Sequence, residues 1–309
     1  FTLQGANEMS DLERMKCVST FFVSQLNYSL IGYKPFNPIL GETFQSKIYP
    51  PKNYEELKKK NKKHNDIDVD DFDLTNPLNI YSEQTSHHPP IHNFYCVNKE
   101  YTIYGSRESS AMSSGNSLIA EVKGPYNIKF KNGSHYSTKY CKFVVNGFIF
   151  GSRMFGYEGN LIIEDLTNNL TAVVNVNPKD NKGFFTSLFS KKVENFPDYY
   201  KGFICKSSDV KYDSKSNIYS CDKGSILSNL EGEYNNYANI DDKCVWELGS
   251  FPNPLSYRQD FTLPSDSHLR NDLVLYTHGK NEMAQYAKMT LEDIQRKDAK
   301  LRKAEKEKL

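Results

Sequence analysis

Several features are missing from this sequence, and each absence removes a class. No apolar run approaches the ~18 residues of a membrane-spanning helix, and no signal peptide is visible. The formal charge of only +1 over 309 residues argues against a globally basic nucleic-acid binder and against an acidic scaffold. The six cysteines (Cys17, Cys96, Cys141, Cys205, Cys221 and Cys244) contain no C-x-x-C pair, which argues against a zinc site and against a compact disulfide framework. A reducing, cytoplasmic compartment is the simpler expectation, and there the sequons at Asn27, Asn132 and Asn169 would stay unmodified. No βαβ repeat is present, so a nucleotide-binding parallel sheet is not expected. The first residue is Phe1, without an initiator methionine, so a piece of a longer chain is expected.

What is abundant is aromatic: 21 Tyr and 19 Phe, residues that favour strands. Residues 8–31 have helical spacing, with Met15, Val18, Phe22 and Leu26 on one face. Residues 51–77, with KKKNKK followed by DIDVDDFD, predict a solvated, disordered insertion. The Asp series fails as a calcium loop because Asp71 and Pro77 fall where glycine and glutamate are required. From 78 to about 262 the signals are strands and hairpins in meander order, such as IHNFYCV and YTIYGS flanking NKE, and GNLIIEDL and LTAVVNV flanking TNN. From about 281 the chain returns to helix, with Met283, Ala287, Leu291, Ile294 and Leu301 as an apolar stripe.

Three stretches could carry chemistry. In YKPFNPILGETF (33–44), Pro35 and Pro38 stiffen the backbone, and Lys34 and Asn37 offer a charge and an amide to an anion. The plainer alternative is a rigid lead into the sheet. In EQTSHHPP (83–90), Pro89 bars helix at His88, so the segment is extended. Side chains alternate on an extended chain, so His87 and His88 would point apart unless a bulge or twist joins them. From the residues alone, the pair could be a structural corner, two donors to an anion, metal ligands or a catalytic base. No G-x-S-x-G elbow accompanies it. On the last helix Lys288, Glu292 and Arg296 form an i, i+4, i+8 row, the usual pattern of a solvated face. GFFTSLFSKK (183–192) is either a strand with inward aromatics or a segment that dips into an anionic membrane surface.

Together these stretches resemble the lipid-binding domain of the oxysterol-binding protein family. EQTSHHPP matches the signature EQVSHHPP with Thr85 in the valine place, KPFNPILGETF matches the first motif, and KMTLEDIQR (288–296) matches K-x-x-L-E-x-x-Q-R. The likeness covers most of residues 11–300. It implies a mainly β fold: a near-complete antiparallel β-barrel enclosing an apolar lipid tunnel, with N-terminal helices and a C-terminal helical region. As a single domain it would divide into 1–50 (helical region and first motif), 51–77 (insertion), 78–262 (barrel) and 263–309 (helical region). The resemblance further implies a non-enzymatic carrier with no cofactor or metal. It would bind phosphatidylinositol 4-phosphate and exchange it for sterol or phosphatidylserine between membranes. The alternative is a phosphoinositide or sterol sensor with little net transport.

By motif position, His87, His88 and Arg296 would contact the 4-phosphate. Lys34, Asn37 and Lys288 would hold the phosphodiester side, and Glu292 would touch the ring or orient its neighbours. Partners would be these lipids and anionic membrane surfaces, not nucleic acid, in the cytoplasm and at endoplasmic reticulum contact sites. The family's N-terminal lid would precede Phe1. In LPSDSHLRND, His268 and Asn271 stand where the family usually has Arg and Pro.

Overall fold

A computed structural model describes residues 3–31, 36–52, 69–178, 198–250, 254–258 and 261–308. Helix α1 (Asp11–Ile31) opens the fold. Ser10 caps it, its Oγ accepting from the Glu13 N–H at 3.4 Å, and Asp11 and Glu13 sit favourably at the positive end of the helix dipole. Met15, Val18, Phe22 and Leu26 are all fully buried, as their spacing predicts. Each such side chain contributes at most about 1.5–3 kcal/mol of burial.

Seventeen strands follow among the described residues. They are β1 (Thr43–Tyr49), β2 (Leu78–His87), β3 (Pro90–Val97), β4 (Tyr101–Ser114), β5 (Ser117–Lys123), β6 (Tyr126–Phe130), β7 (His135–Lys139), β8 (Lys142–Asn146), β9 (Met154–Asp165) and β10 (Leu170–Val176). After these come β11 (Tyr199–Lys206), β12 (Lys211–Asp213), β13 (Ile218–Ser220), β14 (Ser228–Glu233), β15 (Tyr237–Ile240), β16 (Lys243–Glu247) and β17 (Leu255–Arg258). Fifteen of them form one antiparallel sheet: thirteen run in the order β16-β15-β14-β11-β10-β9-β7-β6-β4-β3-β2-β1-β17, β5 and β8 lie off this path, and β12 and β13 pair separately. The long strands β4 and β9 each serve two neighbours. The first half of β4 pairs with β6 and its second half with β5, while β9 pairs with β8 and then β7. With β5 and β8 also paired, six strands close a ring within the near-complete barrel.

The first strand begins at Thr43, within the first motif of the 1–50 segment. Residues 69–77 differ from a solvated insertion. Phe72 is buried and bridges to Pro51, and the Asn76 side chain binds the Lys99 N–H and Glu100. Most of the predicted insertion, 53–68, lies outside the described residues, as does GFFTSLFSKK.

The core lies between α1 and one half of the barrel. Phe22 stacks edge-on against Tyr126 at 5.1 Å and Tyr140 at 5.9 Å, and the inner residues Ile128, Tyr136, Leu161, Ile163, Val174 and Tyr200 are sealed beneath the helix. The inner face of the other half, from β1 to β5 and β8, is only partly covered, with Val122 37% and Phe155 48% exposed. After β17, helices α2 (Asn271–Thr277) and α3 (Asn281–Lys306) cross the rim. The stripe on α3 is not core: Met283, Ile294 and Leu301 are all more than half exposed.

Candidate functional site

The two histidines end up together because the hairpin carrying them is irregular. The β2–β3 register slips between Gln84 and Ser86, leaving Thr85 as an extra residue, and the His88–Pro89 peptide bond is cis. Buried Gln84 fixes the bulge, its Nε2 donating to the Ser86 carbonyl at 2.6 Å, while Asn93 Nδ2 donates to Thr85 Oγ1 at 2.7 Å. Strict alternation is broken, and the imidazoles meet edge to face with centroids 4.5 Å apart. The Nδ1 of His87 is buried without a hydrogen-bond partner among the described residues. Burial, and then the neighbouring His88, hold His87 below the usual histidine range, with Glu292 pulling the other way.

The first motif forms the second wall. Gly41 adopts φ +78°, a conformation that disfavours any side chain, and its N–H donates to the Gln84 carbonyl at 2.8 Å. The Gln84 N–H returns a bond to the Glu42 carbonyl at 2.9 Å, so the loop is laced to the histidine strand. Glu42 folds its carboxylate back onto the Ile39 N–H at 2.9 Å. Helix α3 makes the third wall, and Gln295 ties it to the loop by accepting from the Leu40 N–H at 3.1 Å.

These walls enclose a cavity of about 740 Å³ lined by Asn37, His87, His88, Lys288, Glu292 and Arg296 from the predicted set. Lys34 lies outside the described residues. Lys288 is 3.4 Å from Glu292 and sits 5.8 Å over the Phe36 ring. Arg296 pairs with Asp293 at 2.5 Å and with Glu292 at 3.9 Å. Solvent screens helix pairs of this kind, so both cations can turn toward a stronger anion at little cost. Among the described residues no group of three or more His, Cys, Asp or Glu side chains is arranged to hold a metal ion.

Two further arginines, Arg270 and Arg302, line the cavity and are absent from the predicted set. Arg302 is engaged by Asp298 on its own helix. Arg270 is buried and acts as a clamp, donating to the Asn37 carbonyl at 2.9 Å, to Glu42 at 2.5 Å and to Asp272 at 2.5 and 3.0 Å. Its signal was the LPSDSHLRND block itself, which sequence comparison marks only through His268 and Asn271. His268 has a definite place: its Nδ1 lies 2.8 Å from buried Asp266, which also accepts from the Gln45 N–H and from Arg258. Burial alone would raise the Asp266 carboxyl, but the hydrogen bonds from His268 and Gln45 and the Arg258 charge outweigh it and hold it below the ordinary range. This buried acid anchors the final segment to β1. Asn271 starts α2 and borders a separate apolar groove with Leu275, Met283 and Tyr286.

A basic, imidazole-rich cavity at a barrel rim, opening beside a half-covered aromatic face, suits an anionic headgroup with a hydrophobic tail. The family model for oxysterol-binding protein matches residues 2–309, and the chain belongs to that family. It is 32% identical to oxysterol-binding protein 9 of Dictyostelium discoideum over 96% of its length, spanning 64% of that protein. It is 23% identical to mouse oxysterol-binding protein-related protein 6 over 95% of its length, spanning 28% of that much longer chain. Among solved structures it resembles the Osh3 ORD from Saccharomyces cerevisiae in complex with PI(4)P (TM-score 0.67, 19% identity, 97% of this chain and 73% of that one). It also resembles the Osh1 ORD domain in complex with ergosterol (TM-score 0.67, 17% identity, 98% and 70%). At these identities the structural likeness establishes the near-complete antiparallel barrel.

Proposed function

We propose that this chain is a non-enzymatic lipid carrier that binds phosphatidylinositol 4-phosphate by its headgroup and exchanges it for a second lipid, a sterol or phosphatidylserine, at cytoplasmic membrane surfaces. One observation carries the proposal. Three segments far apart in sequence bring His87, His88, Asn37, Lys288, Glu292 and Arg296 to one cavity, with two imidazoles edge to face and one buried ring nitrogen unsatisfied. A phosphate needs several charge-assisted donors, and this set supplies them without a metal. His87, His88 and Arg296 take the 4-phosphate. Lys288, Asn37 and, from the neighbouring stretch, Lys34 take the phosphodiester side, and Glu292 orients the cations or meets the inositol hydroxyls. The acyl chains run along the partly covered inner face of the barrel. The ligands of the Osh3 and Osh1 relatives support both lipid classes. No described helix is long and apolar enough to cross a membrane, so lipid would be collected from a surface.

The test is extraction of phosphatidylinositol 4-phosphate from liposomes by wild type and by His87→Ala/His88→Ala. Wild type should extract the lipid and the double variant should not, with unchanged circular dichroism. Equal extraction by both proteins would remove the histidines from the site. Extraction without transfer to acceptor liposomes would favour a sensor over a carrier.

A further inference from the structure

The half of the barrel that α1 leaves uncovered contains a cation with no matching anion among the described residues. Arg107 lies on β4 directly across from His92 on β3, two residues beyond the pair formed by Gly105 and Phe94. Alternation along β4 puts it on the same face as Ile103, which is buried in the core, so the guanidinium points into the barrel. It stacks over Tyr140 at 4.6 Å and Tyr126 at 5.9 Å. Its Nε is sealed from solvent and hydrogen-bonds to nothing among the described residues, and no described carboxylate pairs with it.

The described surroundings do not supply the missing charge. The neighbouring acids alternate outward: Glu108 follows Arg107 on β4, and Glu121 on β5 is paired with Lys142. Burial pushes the phenols of Tyr126 and Tyr140 up, and the Cys96 thiol to about 11, so all three stay neutral. Tyr140 spends its hydroxyl hydrogen on Gln25 of α1 at 3.1 Å. Arg107 is half-buried, but its Nε–H is kept from water without a partner, and the two aromatic faces offset only part of the cost of that unmade bond. Its planar fork matches a carboxylate in a bidentate geometry. The face around it is that of a hydrophobic site, with Phe94, Val122, Phe143 and Phe155 in the same inward register.

We infer that Arg107 is the recognition group of a second lipid site inside the barrel, which takes the carboxylate of an anionic amphiphile. This rests on the carrier reading and specifies its second cargo: a lipid bearing a carboxylate, from either a single-chain acid or a serine phospholipid, in preference to a neutral sterol. The guanidinium sits well inside the His87–His88 rim, four residues along β3 from His88 on its partner strand, so its ligand enters acid group first.

The experiment compares neutral and acidic twins on the same protein. Binding of oleate against oleyl alcohol, and of phosphatidylserine against phosphatidylethanolamine, is measured by displacement of a neutral fluorescent lipid, with cholesterol as a third competitor. Wild type should prefer at least one carboxylate over its twin by about tenfold to a hundredfold, the worth of a charge-assisted hydrogen bond to a buried cation. The pair that shows the preference identifies the source. Arg107→Lys should keep part of the preference. Arg107→Met and Arg107→Gln should abolish it while extracting phosphatidylinositol 4-phosphate as wild type does. Equal affinity for both twins in wild type, or a preference that survives in Arg107→Met or Arg107→Gln, overturns the inference. Failure of phosphatidylinositol 4-phosphate extraction by wild type counts against the carrier reading instead, and the His87→Ala/His88→Ala variant, which should retain the carboxylate preference, keeps the two apart.

Discussion

Replacing Arg270 by methionine tests whether the headgroup cavity depends on its buried clamp. The guanidinium holds Glu42 and Asp272, whose side chains are 10% and 0% exposed, as well as the Asn37 carbonyl. Methionine fills much of the volume but leaves two carboxylates in the interior with no cation. Breaking a buried ion pair from one side costs about 3–5 kcal/mol, and the sharing of one arginine by two acids puts Arg270→Met at the upper end. Against a total stability on the order of 5–15 kcal/mol, that is a large fraction. Trp246, the one tryptophan in the chain, is buried in the core and reports unfolding by its fluorescence. In urea the midpoint should fall by roughly 1–2 M for a slope near the upper end for single domains. Arg270→Lys should recover only part of the loss, because an ammonium cannot bridge both acids with a planar fork. Phosphoinositide extraction should fail in Arg270→Met even under conditions where it stays folded, since the 37–42 loop is no longer tied down. A loss below about 1 kcal/mol would refute the clamp, as would full extraction by the folded variant.

The other expectations follow from the same geometry. Arg296→Ala should weaken phosphatidylinositol 4-phosphate binding by about tenfold or more, while Lys303→Ala on the exposed end of α3 should change it by less than about threefold; titration with a soluble headgroup analogue checks both, and equal effects would return Arg296 to the solvated face. Headgroup affinity should rise as pH falls from 8.5 toward 6.5. His87 without ligand is held below the usual histidine value, and a phosphate dianion favours its charged form, so the gain sets in as pH falls through the raised, ligand-bound value and is complete only below the free-state value. Below about pH 6 the phosphate takes up its own proton and the gain levels off; a profile matching that of His87→Ala/His88→Ala would exclude the histidine. Phe22→Ala should cost about 3–5 kcal/mol in urea unfolding, because the ring is fully buried beneath Tyr126 and Tyr140 and leaves a cavity there.

Much of the fold was legible because its signals are local. The apolar spacing of Met15, Val18, Phe22 and Leu26 needs one helix turn after another, and the NKE and TNN turns lie inside short hairpins. The motif residues were legible as well, but only as separate stretches. What brings them together acts across more than two hundred positions: Arg270 reaches Glu42, and Gln295 reaches Leu40. No periodicity encodes such a contact. The facing of the two histidines was open for a similar reason, since it depends on a register slip at Thr85 that is set by the buried Gln84 side chain. On α3 the apolar stripe did not say what it faces: Leu291 borders the cavity beside Lys288 and Glu292, while Met283, Ile294 and Leu301 stand exposed. An amphipathic helix declares that it has two faces, not which of them is covered. The split pairing of β4 and β9 left no trace either, because a strand shared by two neighbours alternates in the same way as any other.

The three-walled cavity also orders events in time. A chain leaves the ribosome from its N-terminus, so α1 and the strands that cover it can pack while later segments are still being made. His87 and His88 emerge early, but Lys288 follows His88 by 200 residues, and Gln295 and Arg296 come later still. Until α3 is released, the nascent barrel has a hydrophobic interior and two imidazoles but lacks the wall that carries Lys288, Glu292 and Arg296. On the proposed carrier reading, a newly made molecule would hold apolar ligands before it could choose among them, and a chain cut short before α3 would keep that indiscriminate state.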